Sequence, residues 1–146
     1  MTEKEKSYAG MLYQPGDPEL AGDRDVTVKK LYDYNQIHPL DRDRRQAAIK
    51  ELFGKAGENC TVEQPLFCTY GYNTTVGDNF FLNVNCKLLD SGKITIGNNV
   101  FIAPKGLVCR GRRNPHKTAE NPRVCRRWHN DRTDNKNHRI VRTVIP

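Results

Sequence analysis

Long hydrophobic runs are missing from this 146-residue chain: no 18 consecutive residues are apolar, which excludes a membrane-spanning helix. The opening Met-Thr-Glu-Lys-Glu-Lys is charged and has no apolar stretch behind it, so it does not read as a secretion signal. Cysteine is sparse and odd in number. Cys60, Cys68, Cys86, Cys109 and Cys125 form no dense framework, and they read as free thiols of a cytoplasmic protein rather than as bridges. Acid is scarce toward the C-terminus. Residues 1–104 hold 12 Lys and Arg against 14 Asp and Glu, a balance of −2, whereas residues 105–146 hold 12 against 3, a balance of +9. Those last 42 residues contain 7 Val, Ile, Leu and Phe, a composition that predicts disorder. Two unlike sequences meet near residue 105.

What is present before that point is a repeat. Val76-Gly77-Asp78-Asn79-Phe80-Phe81 returns twenty residues later as Ile96-Gly97-Asn98-Asn99-Val100-Phe101. Aliphatic residues fall at a six-residue step through Val76, Leu82 and Leu88, then through Ile96, Ile102 and Val108. The eight-residue step from 88 to 96 places its two extra residues in Asp90-Ser91-Gly92-Lys93. Six is the period of neither a helix nor a plain strand. It suits a chain wound as a triangular coil, a short strand and a corner in every six residues, with each aliphatic residue facing a shared axis. The Gly-Asp-Asn and Gly-Asn-Asn phrases supply residues tolerant of corner angles. Two unrelated hairpins would leave the common register unexplained. Cys86, four after Leu82, reads as packing inside a coil.

Three helices are predicted ahead of the coils. Thr2 with Glu5 is a capping box for a helix at about Glu3–Ala9. Asp17-Pro18-Glu19 starts a second, running to about Tyr34 with Leu20, Val28, Leu31 and Tyr32 on its apolar side. A third, near Asp41–Phe53, buries Ala48, Ile49, Leu52 and Phe53 and stops at Gly54. They hold too few large apolar residues for a core of their own, so they lie on the coils or on a neighbour. Tyr8, Tyr13, Tyr32 and Tyr34 either line a sugar site or pack. Val62 and residues 67–73 read as a first, irregular coil. Asn83 and Asn85 flank Val84 in a predicted strand, either as a polar site or as part of an asparagine corner ladder.

Several phrases resemble the maltose and galactoside O-acetyltransferases, relatives of the nodulation-type sugar acetyltransferases. They are Thr2-Glu3-Lys4-Glu5-Lys6, Ala9-Gly10-Met11-Leu12-Tyr13, Leu52-Phe53-Gly54 and Cys68-Thr69-Tyr70-Gly71-Tyr72-Asn73, then Gly77 through Cys86 and Ile94 through Pro104. The resemblance covers about residues 2–108. It implies a mostly β fold, a left-handed parallel β-helix of hexapeptide repeats, here incomplete. The implied parts are a helical N-terminal subdomain (1–54), a partial β-helix (55–108) and an aberrant basic tail (109–146). It also implies a trimer with active sites between neighbouring solenoids, and transfer of acetyl from acetyl-CoA to a sugar hydroxyl of maltose, glucose or a galactoside, without a metal. By position, Asn83 matches an oxyanion-supporting Asn and Thr69 a sugar-contacting hydroxyl residue. Asp90 and Ser91 stand at an acidic pair, with the second acid replaced, and Asp17 matches an acceptor-binding acid.

The resemblance then breaks. The family's catalytic histidine lies in a Thr-x-His-Pro phrase, whose ungapped position here is Arg113. The order here is Asn114-Pro115-His116, and His116 serves as base only if the chain bulges by three residues. The six-step continued from Val108 meets Asn114, Glu120, Arg126, Arg132, His138 and Val144, one aliphatic in six. The coils that hold acetyl-CoA in the family fall in this stretch. An out-of-frame reading from about residue 105 accounts for the loss of periodicity, motif and charge balance at one point. Reduced or absent activity follows. Two rival readings use the tail: nucleic-acid binding through its basic residues and Trp128, and a zinc site from Cys109, His116, Cys125 and His129, whose spacing fits no standard finger.

Overall fold

The computed structural model describes residues 1–110 and the backbone of residues 139–141. Three helices come first: α1 (Glu3–Tyr8), α2 (Pro18–Gln36) and α3 (Arg42–Leu52). Nine short strands follow: β1 (Lys55–Ala56), β2 (Thr61–Val62), β3 (Leu66–Cys68), β4 (Thr74–Val76), β5 (Phe81–Leu82), β6 (Cys86–Leu89), β7 (Ile94–Ile96), β8 (Val100–Ile102) and β9 (Leu107–Cys109). Each of β1 to β6 pairs in parallel with the strand three places on, so these nine strands run β1-β4-β7, β2-β5-β8 and β3-β6-β9. The register is twenty residues throughout: Lys55 faces Thr75, Thr74 faces Ile94, Phe81 faces Phe101 and Leu66 faces Cys86. This is a triangular solenoid whose turn equals the sequence repeat.

The predicted aliphatic steps point inward. Val76, Leu82, Leu88 and Ile102 are buried, joined by Phe80, Cys86 and Val100, so each side contributes inward residues two apart. Burial of each large side chain contributes about 1.5–3 kcal/mol, and the axial core therefore holds the coils together. The extra two residues per turn sit where predicted, at 90–93, and again one turn earlier at 70–73. The stretch before β4 is not irregular. Cys60, Val62, Leu66 and Cys68 take the inward places of a complete coil.

Three corners join the sheets. The first (57–60, 77–80, 97–99) places Asn59, Asn79 and Asn99 at φ of 54–56°, and their side chains form a ladder, Asn59 to Asn79 at 3.2 Å and Asn79 to Asn99 at 2.9 Å. Asparagine, rather than glycine, takes the left-handed angle. The glycines serve close approach instead: a Cβ on Gly77 would stand 2.8 Å from the backbone of Gly97 and Asn98. The second corner (83–85, 103–106) corrects the placement of Asn83 and Asn85 within a strand. They lie between β5 and β6, with Asn85 at φ 58°. Neither belongs to the side-chain ladder.

The helices close the upper end of the coils. Asn35 mimics a missing strand, donating to Leu66 O at 3.1 Å and accepting from Leu66 N at 2.9 Å. Tyr34 Oη and Arg45 Nη2 both donate to Val62 O, and Gln64 donates to the carbonyls of Tyr34 and Ile37. These contacts satisfy backbone groups that a preceding coil would otherwise take. The buried face of α2 is Leu20, Thr27, Leu31 and Tyr34. Val28 and Tyr32, predicted inward, are 61% and 67% exposed. One residue of helix is about 100° of rotation, enough to move each from core to surface.

The one described stretch beyond residue 110 departs from expectation. Strand β10 (Arg139–Val141) pairs in parallel with β8, Ile140 facing Phe101, at an offset of 39 rather than 20 residues. These three residues lie in a sheet, against the disorder predicted for the whole tail, yet not as the next regular coil. Cys60, Cys68 and Cys86 are buried free thiols, whereas Cys109 is disulfide-bonded, a departure from the reading of thiols throughout.

Candidate functional site

The third corner (69–73, 90–93) carries most of the polar chemistry. Its centre is Asp90, fully buried. One carboxylate oxygen accepts from Thr69 N (3.1 Å) and Tyr70 N (2.8 Å), and the other accepts from Thr74 Oγ1 (3.1 Å). Asn73 Nδ2 donates to the Asp90 carbonyl at 2.8 Å. Burial raises the Asp90 pKa above the ordinary carboxylate value, against the lowering effect of these hydrogen bonds. A carboxylate with no exposed surface cannot meet a sugar in this arrangement. Asp90 therefore departs from its predicted substrate contact and becomes a positioning residue that fixes Thr69 and the turn below it.

Thr69 and Ser91 are half-buried at the same corner. Around them lies a network that the sequence reading missed. Asp23, on α2, accepts from Lys4 Nζ (2.8 Å) and Tyr72 Oη (2.7 Å), and the Lys4 hydrogen bond, with that from Tyr72, holds its pKa below the usual carboxylate value. Arg24 Nη1 donates to Tyr70 Oη at 2.9 Å, Tyr8 Oη to Asn73 Oδ1 at 2.9 Å and Ser7 Oγ to Ser91 O at 2.7 Å. Tyr70 and Tyr72 belong to the phrase Cys68-Thr69-Tyr70-Gly71-Tyr72-Asn73, but nothing local in the sequence says that α2 turns Asp23 and Arg24 toward them.

Asp17 is the N-cap of α2 and accepts from Glu19 N at 3.0 Å, so its carboxylate is engaged in capping. Asn83 sits at the second corner. Its Oδ1 accepts from Val84 N at 2.8 Å, which leaves Nδ2 as the group able to donate outward. Between Asn83 at the second corner and Asp90 at the third lies the β6 side of the prism, whose four strand residues alone span roughly 13 Å. One protomer therefore does not bring Asn83 together with Thr69 and Ser91. His116 lies outside the described residues, as do Cys125 and His129. The four tyrosines do not all gather. Tyr8 is at the third corner and Tyr13 lies near Tyr70 of that corner, whereas Tyr34 is buried at the coil end and Tyr32 faces solvent. Among the described residues no three His, Cys, Asp or Glu side chains cluster as a metal would require. A cavity of about 100 Å³ between α3 and the first coil, lined by Tyr34, Arg45, Cys60, Val62 and Glu63 among others, includes one of the four tyrosines but none of Asp17, Thr69, Asn83, Asp90 and Ser91.

Comparison with known proteins agrees with this geometry. The maltose acetyltransferase hexapeptide capping motif matches residues 6–57. A maltose O-acetyltransferase from Clostridium difficile 630 superposes with a TM-score of 0.72 at 40% identity, covering 73% of this chain and 57% of the other. A galactoside acetyltransferase in complex with coenzyme A gives 0.71 at 36% identity, covering 75% and 55%. Nodulation protein L of Rhizobium meliloti is 33% identical over 103 residues, 70% of this chain and 56% of its own length. The chain spans about half the length of the curated relatives it matches. Fold and likeness together define the class, a hexapeptide-repeat, left-handed β-helix with a helical N-terminal cap. Within it the described part of the chain is similar to the maltose and galactoside O-acetyltransferases.

Proposed function

We propose that residues 1–110 are the acceptor-binding part of an acetyl-CoA-dependent sugar O-acetyltransferase, and that the 146-residue chain turns over little or not at all. The observation that carries the second half is the break after Pro104: no Thr-x-His-Pro phrase follows, and β10 joins sheet β2-β5-β8 at an offset of 39 residues instead of 20. In this reading Thr69 and Ser91 contact the sugar and the amide of Asn83 stabilises the oxyanion that forms when the sugar oxygen attacks the acetyl carbonyl. The sugar hydroxyl must also lose a proton to a general base. His116, three residues beyond the family position, is the one histidine near it in sequence. Acetyl-CoA is the co-substrate, as coenzyme A and acetyl-CoA complexes of relatives suggest.

Separation of Asn83 from Thr69 and Ser91 onto two corners favours a site shared between copies, hence a trimer, with one copy giving Asn83 and its neighbour the third corner. No helix among the described residues is long and apolar enough to cross a membrane. A cytoplasmic location goes with the three buried free thiols and against the disulfide at Cys109. A mixed oligomer that lends Asn83 to a complete relative is the second reading, favoured by that same split. The test is an assay with acetyl-CoA and maltose or a galactoside, using the purified 146-residue chain. Background turnover is the result expected, and robust transfer overturns the inactive reading.

A further inference from the structure

Helix α1 has no buried residue. Six residues of helix do not sustain themselves in water, so its place depends on what holds it. The holding contacts are polar: Lys4 to Asp23, Ser7 to the Ser91 carbonyl and Tyr8 to Asn73. Two cations over rings add to them, Lys4 at 4.5 Å from the Tyr72 centroid and Lys93 at 5.1 Å from that of Tyr8. The connector that follows is exposed except at Tyr13, and it contains Gly10 at φ +70° and Gly16, both facing open space. The connector is bonded back to α1, Met11 N donating to Lys6 O and Gln14 N to Glu3 Oε2, so it can move with the helix. An element with polar anchorage and an exposed connector opens locally at far lower cost than the core. What it lies against is the corner that carries Thr69 and Ser91.

We infer that α1 is a flap over the third corner, latched by the Lys4–Asp23 pair and by Tyr72, and that its opening admits the acceptor. The identity of what enters rests on the sugar reading above; the flap itself rests on the contacts. Asp23 is the hinge of the latch because it binds Lys4 and Tyr72 with one oxygen. Loss of its charge removes the ion pair and weakens the bond from Tyr72, while Asp90 and the coils keep their own partners.

Amide hydrogen exchange on the full chain tests this. Amides of residues 6–9 exchange by local opening, much faster than those of α3, and Asp23→Asn or Lys4→Met speeds them at least about fivefold without changing α3 or the coils. Maltose or a galactoside at saturating concentration slows them. If α1 exchanges only with global unfolding, or if both variants alter every element alike, the flap is overturned. A latch effect that persists without any protection by sugar overturns the acceptor reading and leaves the flap standing.

Discussion

Asp90→Ala lowers the stability of the chain by about 2–4 kcal/mol, whereas Asp90→Asn leaves it unchanged or raises it at neutral pH. The alanine variant strands the Tyr70 amide and the Thr74 hydroxyl, while Thr69 N keeps a second acceptor in Leu88 O. The asparagine variant retains an oxygen for the two amides and supplies a donor to Thr74. The pH dependence separates charge from geometry. The folded pKa of Asp90 is raised, so between the unfolded value near 3.8 and the folded value the native state holds a proton that the unfolded chain has released. Its contribution to stability therefore falls as pH rises through that window. Asp23 acts in the opposite sense: its lowered pKa contributes stability above the unfolded value, lost as pH falls through the folded one. Urea titrations at several pH values should show the advantage of Asp90→Asn growing from acid toward neutral pH. An advantage that is constant with pH would mean that the Asp90 charge is not penalised.

Gly77→Ala costs about 2–4 kcal/mol, and Gly97→Ala changes stability by less than about 1 kcal/mol. The two glycines are twenty residues apart in the same phrase. A Cβ at Gly77 would sit 2.2 Å from Asn98 Oδ1 and against the backbone of the coil below. It would also displace the amide oxygen that accepts from Asp78 N at 2.7 Å. Gly97 has nothing within 4 Å among the described residues. The pair thus measures where stacking ends. Equal costs in thermal or urea denaturation would place a further coil under Gly97.

The solenoid was legible because its signal is redundant: the six-step, the repeated phrase and the corner asparagines all demand the same turn. The first coil was less so, since Cys60 and Cys68 hold inward places that an aliphatic pattern does not count. Val28 and Tyr32 misled because an apolar residue one position off the buried face looks the same in sequence. The site was the least legible part. Asp90 and Ser91 are adjacent in sequence, yet one is sealed inside and the other stands half-open. Burial of a carboxylate is decided by partners 16 to 21 residues away, Thr69, Tyr70 and Thr74. Asp23 and Arg24 face the third corner only because α2 packs on β3, a long-range fact with no local mark.

The account turns on a family sequence that stops being one near residue 105. Determining the nucleotide sequence of the gene and reading all three frames beyond that codon tests it. The account predicts that an alternative frame resumes hexads of the Gly-Asn-Asn type and a Thr-x-His-Pro phrase about nine residues after Ala103-Pro104. If both alternative frames lack them, residues 105–146 are the true continuation of the chain, and the out-of-frame explanation is wrong.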